Sequence, residues 1–293
     1  MANQIVKLGD FEVGNNEIPY FIAEIGINHN GDMQIAKKLM DAAFACGWNC
    51  VKFQKRTPDI AVPEAQKNVM RDTPWGQMTY LDYKKHIEFE KPEYDRIDKY
   101  CKEKPLAWTA SPWDIPSLEF LLQYDLPFIK IASAGNGNPE LLKRAAQAGI
   151  PLIMSDGMCT QEELDQAVSV LEDYSNGDYI LLHTNSTYPA PVDSLNLAYM
   201  QTLKDRYHCV VGYSGHEQNL EPSVVAATLG AKVIERHVTL SHELWGTDQK
   251  ASLEINAMYM LYRRCLDIRK MIGSGVKTLD ENERKVREKL KGN

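Results

Sequence analysis

The sequence has no apolar run near the roughly 20 residues that span a bilayer, no CxxC pair among its six cysteines, and no Pro/Gly/Ser-rich linker. These absences argue against a membrane helix, a thiolate zinc site and separately folded units. Basic residues are not in excess: 33 Lys and Arg stand against 40 Asp and Glu, a net charge of −7. Nucleic acid or an anionic membrane is therefore not the expected partner. The first residues, MANQIVKLGDF, lack a basic start followed by an apolar core, so a cytosolic chain without signal peptide is expected. Cys46, Cys50, Cys101, Cys159, Cys209 and Cys265 lie mostly in apolar contexts, which reads as reduced core thiols.

What the chain does have is repetition. Eight short β-rich runs recur: YFIAEIG (20–26), CVKFQ (50–54), LAWTAS (106–111), FIKIAS (128–133), PLIMSD (151–156), YILLHT (179–184), CVVGYS (209–214) and KVIERH (232–237). Each is followed by polar residues and then by helical spacing of apolar residues, over 33–46, 91–103, 116–124, 138–148, 160–173, 195–206, 220–229 and 253–272. Thr160 with Glu163 makes a capping box, and Gly149 and Gly230 follow helix ends. Strict alternation with nearly continuous apolar strands predicts a parallel sheet covered by helices, and eight units predict a closed (β/α)8 TIM barrel. An open doubly wound sheet is the alternative, but no GxGxxG turn follows the first strand. Residues 4–19 are expected to form a hairpin closing the barrel bottom. The long connection after strand two, 55–90, reads as an insertion. One domain is expected over 1–293, its barrel at about 20–275.

A barrel brings every strand's carboxyl end to one rim. Glu24, Asn28, Lys52, Gln54, Thr109, Ser111, Lys130, Ser133, Ser155, Asp156, His183, Ser186, Tyr188, Ser214, His216, Glu235 and His237 fall there. Two lysines with several hydroxyls make an anion pocket for phosphate or carboxylate. His216 and His237 lie on adjacent strands and can converge on a divalent metal, with Asp248 or Glu24 and waters completing the shell. A Schiff-base aldolase would use a buried lysine, usually on strand six; strand six here ends HTNSTYP, without one.

The motifs FIAEIGINHNGD, VKFQ, ASPWD, KIAS, SDGM, LLHTNSTYPAP, GYSGHE, IERHVTL and GTDQKASLE, in this order over about 20–255, resemble the sialic acid synthases: N-acetylneuraminate synthase and its pseudaminic and legionaminic acid relatives. The resemblance implies a metal-dependent condensation of phosphoenolpyruvate with an aldose, giving a 3-deoxy-2-ulosonic acid and phosphate. It implies His216 and His237 as ligands of Mn2+ or Mg2+, and Lys52, Ser111, Lys130, Ser133, Ser155, Ser186 and Ser214 as the phosphoenolpyruvate cradle. Glu24 becomes the carboxylate that handles water and protons; Gln54, Tyr188 and Asp248 become sugar contacts. A homo-oligomer, as a dimer, is also implied.

The pattern departs from the family in three places. Gly135 stands where a glutamate usually meets an acetylated sugar, Ser186 where asparagine is often found, and no antifreeze-like C-terminal domain, with its cross-subunit arginine, is expected after the barrel. The aldose is therefore open. Arg56 and Arg71 would suit a phosphorylated one, as in an octulosonate-8-phosphate-type synthase, and Arg71, Trp75 and Tyr80 are expected to form a sugar-side lid. The reading from another class is a catalytically silent sugar-binding barrel.

Overall fold

The structure, a computed structural model, describes residues 4–291. Eight parallel strands carry the fold: β1 (Tyr20–Gly26), β2 (Cys50–Lys55), β3 (Ala107–Pro112), β4 (Ile129–Ile131), β5 (Leu152–Ser155), β6 (Tyr179–Thr184), β7 (Val210–Gly215) and β8 (Val233–Thr239). They are hydrogen-bonded in the order β3-β2-β1-β8-β7-β6-β5-β4. The first strand lies between the second and the last, which an open doubly wound sheet does not allow. The fold is thus the (β/α)8 barrel, with one loose seam. At that seam β4 is three residues long, and Thr109 Oγ1 on β3 donates to the Phe128 carbonyl (2.7 Å) where a backbone ladder would run.

The barrel helices are α1 (Met33–Ala45), α2 (Lys91–Glu103), α3 (Ile115–Leu121), α4 (Pro139–Ala146), α5 (Gln161–Tyr174), α6 (Tyr199–Tyr207), α7 (Glu221–Thr228) and α8 (Ile255–Ile272). Short side chains start them where the first amide groups lack partners. Asp32, Asp114 and Asn138 accept from the amides of Gln34, Ser117 and Leu141, and the Thr160–Glu163 capping box forms in both directions. α6 begins four residues later than its apolar spacing predicts, because Asn196 takes a left-handed backbone conformation (φ 46°) that no helix continues through. No described helix is long and apolar enough to cross a membrane.

Alternation along each strand sorts side chains between two cores. Phe21, Ala23 and Ile25 of β1 face the helices; Tyr20 and Ile22 face the barrel axis. The lower axis is filled by Tyr20, Ile22, Cys50, Phe128, Ile153, Ile180, Leu182, Val210 and Val233, with Val6, Leu8 and Val13 of the N-terminal hairpin (Val6–Leu8 paired with Phe11–Val13) packed beneath. That apolar plug is the expected bottom closure. Two residues further along the strands, or four on β7 where Gly212 intervenes, the same inward column turns polar: Glu24, Lys52, Thr109, Lys130, Ser155, Thr184, Ser214, Glu235.

Strand β8 shows the sorting most sharply. Glu235 and His237 point inward, and Arg236 between them is fully buried in the helix layer. Its Nη1 donates to Glu217 Oε1 (2.8 Å) and Ser223 Oγ (3.0 Å), and Tyr213 supplies a further donor to Glu217 (2.9 Å). Removing one partner of a buried ion pair strands the other, so Arg236→Ala is expected to cost about 3–5 kcal/mol. Urea unfolding of the variant checks this.

The insertion after β2 is folded. Two single-turn helices lead to a hairpin (Met70–Thr73 with Gly76–Thr79) and a helix, Tyr80–Ile87. Trp75 and Tyr83 pack edge-to-face on Trp245 from the loop after β8 (ring centroids 5.8 and 5.1 Å), which ties the insertion to the barrel.

Candidate active site

The polar ends of the inward columns meet in one cavity at the carboxyl rim. It is lined by Glu24, Lys52, Gln54, Ser111, Lys130, Ser133, Ser155, Ser186, Tyr188, Ser214, His216 and His237, and also by Glu235, Trp113, Met158, Ala132 and Ala134. Of the residues that the resemblance assigns to metal, phosphoenolpyruvate, proton transfer or sugar contact, only Asp248 stands back from the lining. A larger groove, about 900 Å3, follows the hairpin at the opposite end of the barrel. Its Asp98 is taken up by Lys102 and the Trp108 indole N–H.

Four buried charges form the cavity floor. Lys52 Nζ lies 2.7 Å from Glu24 Oε2 and donates to Ser111 Oγ (3.2 Å). Lys130 Nζ donates to Ser155 Oγ (2.7 Å) and to the Ile131 carbonyl (3.1 Å). Both ammonium groups stand 3.8 Å from the same oxygen, Glu235 Oε1, which also accepts from Ser214 Oγ (3.1 Å). Burial works against the charge on Lys52, but Glu235 and Glu24 outweigh it and its pKa lies above the ordinary lysine value. For Lys130 burial wins, helped by the Lys52 charge and opposed by Glu235, and the pKa falls to about 8. Burial alone would raise the Glu235 pKa; the two lysines reverse this and hold it below the usual carboxylate value.

The wall beside this floor carries the two imidazoles, ring centroids 5.4 Å apart. His216 Nδ1 faces the Asn185 carbonyl (2.7 Å), which only accepts, so that nitrogen carries the proton. The lone pair of Nε2 then accepts from the Tyr188 hydroxyl (2.8 Å) on the cavity side. Burial first, and then the His237 charge, lower the His216 pKa to about 3, so the ring is neutral. His237 Nδ1 is buried with no hydrogen-bond partner; Asp248 Oδ2 is 3.8 Å away. A neutral imidazole with a locked tautomer and a second one with an unmet nitrogen suit a divalent metal. The expectation that Asp248 or Glu24 completes the shell is not met. Glu24 is held by Lys52 and by Gln54 Nε2 (2.8 Å), and among the described residues no three His, Cys, Asp or Glu side chains form a metal-holding group.

Space in the cavity is made by missing side chains. A Cβ on Gly157 would come within 2.3 Å of Ser186 Oγ and 2.7 Å of Ser133 Oγ, so only glycine leaves that cradle open. Ser186 Oγ and Trp113 Nε1 are buried there without partners, as is Glu235 Oε2. Buried polar atoms are rarely left unpaired; these three line the cavity and are free to meet a ligand. Gly135 departs from its expected place. A Cβ there would head for Ile131 and Leu141, 3.4 and 3.5 Å away, and Ala134 is the turn residue that lines the cavity.

Other rim residues serve the framework. His183 donates from Nδ1 to Asp156 (2.9 Å) and from Nε2 to the Leu195 carbonyl (2.8 Å). Burial opposes its charge, and the Asp156 carboxylate more than compensates, so its pKa is raised. Asn28 bonds the Val238 carbonyl and Ser252, and His29 stacks on Phe89 (3.9 Å). Arg71, Trp75 and Tyr80, expected as a lid, are not in the cavity lining; Arg71 lies over the Tyr80 ring (4.9 Å) and Trp75 over His86 (4.2 Å). Sequence reasoning gave no role to Glu235 or Trp113. The signal was there in the strand period: Glu235 lies two residues before His237, and Trp113 two after Ser111.

The family model for the NeuB family matches residues 39–277. The chain belongs to the NeuB family. It is 39% identical over 238 residues to the N-acetylneuraminate-9-phosphate synthase of Drosophila melanogaster, covering 80% of this chain and 64% of that protein. It therefore spans just under two thirds of that relative's length. To the N,N'-diacetyllegionaminic acid synthase of Campylobacter jejuni it is 35% identical over 270 residues, 90% of this chain and 80% of that one. Among solved structures, the sialic acid synthetase of Leptospira borgpetersenii, in complex with citrate, superposes with a TM-score of 0.86 at 31% identity, covering 99% of both chains. This NeuB-family chain and that structure share the same barrel throughout.

Proposed function

We propose that this NeuB-family chain condenses phosphoenolpyruvate with an aldose to give a 3-deoxy-2-ulosonic acid and phosphate. The observation that carries the reading is the floor: Lys52 and Lys130 flank one Glu235 oxygen at 3.8 Å, below an open cradle of serines and beside two imidazoles. Two desolvated ammonium groups with hydroxyl donors fit a small substrate bearing both carboxylate and phosphate. Relatives named as N-acetylneuraminate-9-phosphate, N,N'-diacetyllegionaminic acid and pseudaminic acid synthases support the same class.

In this reading the methylene carbon of phosphoenolpyruvate bonds to the aldehyde carbon, and the aldehyde oxygen takes a proton to become a hydroxyl. Water adds to the carbon left electron-poor and gives up a proton, and breaking the bond from that carbon to the phosphate oxygen releases phosphate and leaves the keto acid. A divalent ion, Mn2+ or Mg2+, held by His216 and His237 would supply Lewis-acid polarisation of the aldehyde oxygen. Lys52 and Lys130 hold the anionic ends, and the hydroxyls of Ser111, Ser133, Ser155, Ser186 and Ser214 orient them. Glu24, fixed by Lys52 and Gln54, takes the proton from the attacking water. Glu235 is a positioning residue that keeps both ammonium groups charged. Tyr188, Gln54 and Asp248 face the sugar.

Phosphate release from phosphoenolpyruvate with Mn2+ and a panel of aldoses tests the reading. Turnover with at least one aldose is expected. Phosphoenolpyruvate binding without release for any aldose would leave a silent sugar-binding barrel instead.

A further inference from the structure

At the base of the insertion, a chain of side chains leads from its last residues to Glu24 in the cavity. Glu88, just past the insertion helix Tyr80–Ile87, accepts from the Arg56 backbone N–H (2.9 Å) and lies 3.8 Å from the Arg56 guanidinium. Arg56 Nη2 donates to Gln54 Oε1, and Gln54 Nε2 donates to Glu24 Oε1 (2.8 Å). Arg56 is buried, and its guanidinium lies over the Trp113 ring (4.5 Å). Gln54, Glu24 and Trp113 all line the cavity. The backbone makes room for the inner contact. A Cβ on Gly26, whose φ is 55°, would come within 3.1 Å of both Gln54 Nε2 and Glu24 Oε1.

A carboxamide has one donating end and one accepting end, nearly equal in shape. Turned round, Gln54 would set its carbonyl oxygen against a carboxylate oxygen, and Glu24 would lose the hydrogen bond that fixes it. The group at the far end of the amide decides between the two orientations. A guanidinium only donates, so it takes the carbonyl and leaves the NH2 end to Glu24. Among the described residues nothing else bonds Gln54 Oε1. Nor does the insertion need Arg56 as a fastener. Lys55 Nζ already reaches Glu88 (3.2 Å) and the Phe89 carbonyl (2.8 Å), and Trp75 and Tyr83 pack on Trp245. Burying a guanidinium is costly unless its bonds offset the lost water, and the bond it makes towards the cavity is the one to Gln54.

We propose that Arg56 is a positioning residue that locks the Gln54 carboxamide with its NH2 end on Glu24, and so ties the folded insertion to the carboxylate that takes a proton from water. The inference rests on the condensation reading above, which gives Glu24 that role, and adds the residue that holds it ready. Glu88 and the Trp113 ring fix the plane of the guanidinium, the guanidinium fixes the amide, and the amide holds one oxygen of Glu24. The lock also sets which groups Gln54 has left for the aldose: its second N–H and its second carbonyl lone pair.

A double-mutant cycle tests the lock, using the aldose that the wild type turns over best. Arg56→Gln can offer Gln54 either end of an amide, so it removes the instruction without emptying the space. Arg56→Gln and Gln54→Ala are each expected to lower kcat about 10- to 100-fold, the scale of one charge-assisted hydrogen bond, with the KM for phosphoenolpyruvate unchanged. The double variant should be no slower than Gln54→Ala, because Arg56 then has nothing to act through. Arg56→Lys, which only donates, should keep most of kcat. Losses that multiply in the double variant, a wild-type kcat in Arg56→Gln, or a raised phosphoenolpyruvate KM there overturns the lock. Should Arg56→Gln fail to fold with Glu88 short of a partner, Arg56→Gln with Glu88→Gln replaces it in the same cycle. If the wild type turns over no aldose, the condensation reading fails instead, and 15N NMR of the glutamine side chains decides the lock, with Gln54 assigned by its loss in Gln54→Ala. Gln54 NH2 signals displaced by Arg56→Gln and kept by Arg56→Lys support it. Signals unmoved by Arg56→Gln, or moved equally by both variants, refute it.

Discussion

His237→Ala is expected to lower kcat by at least about 1,000-fold and to leave the barrel folded. The two halves have separate physical causes. His237 Nδ1 makes no hydrogen bond, so its removal orphans no buried donor or acceptor, and the space it vacates opens onto an existing cavity. The stability cost should therefore fall at the low end of large-to-small core changes, about 2 kcal/mol or less. In the proposed reaction the loss in rate comes from the charge that develops on the aldehyde oxygen. A preorganised group facing such charge in a dry site is worth about 100- to 1,000-fold by itself, and on the proposed reading, in which His237 also holds a metal, its loss removes more than one contact. Two measurements check the assignment: turnover, and Mn2+ binding followed calorimetrically in the absence of substrate. An unchanged kcat, or unchanged Mn2+ affinity, would remove His237 from the ligand set.

Lys130→Met is the second large effect. It is expected to raise the KM for phosphoenolpyruvate about 100-fold, in line with losing a buried charge-assisted contact, while the KM for the aldose changes little. Equal weakening of both substrates would argue against a dedicated anion floor. The pH dependence gives an independent fingerprint. Burial holds the Lys130 pKa at about 8, whereas that of Lys52 is raised, so Lys130 is the member of the pair that titrates in an accessible range. Anion binding needs its protonated form, which is present below pH about 8 and lost above it. The wild-type KM for phosphoenolpyruvate should be flat below pH 8 and climb above it towards a limiting tenfold per pH unit, and Lys130→Met should lose that rise. Stability runs the other way. A lysine whose folded pKa is depressed binds fewer protons folded than unfolded between pH 8 and its ordinary value, so its penalty on the fold is full below pH 8 and shrinks across that window.

These two residues also show how much of the molecule could be read from the chain. Lys130 and His237 sit at strand ends, and the alternation of apolar runs with capped helices placed those ends on one rim. Strand β6 runs over the 179–184 read for it, and α2 over 91–103. The departures come where a local feature competes with periodicity: Asn196 ahead of α6, and the three-residue β4. The use to which a rim residue is put was harder to see. Asp156 and His183 look as functional in sequence as Ser155 and His216, yet they bond each other and hold the loop. Arg236 looks exposed between two polar residues, but its partner Glu217 lies nineteen positions earlier and on another element. The strand period puts Glu235 on the rim, but its role shows only in the two lysines that share its oxygen. Such pairings depend on distances across the barrel, which spacing along the chain does not encode.

The hairpin and the apolar column above it have a kinetic consequence. With Val6, Leu8 and Val13 stoppering one end of the cylinder, the chamber above is a cul-de-sac, and the ammonium pair lies at its dead end. On the proposed condensation, the anionic reactant that rests deepest is expected to enter ahead of the aldehyde, so initial-rate kinetics should show ordered binding with inhibition by excess aldose.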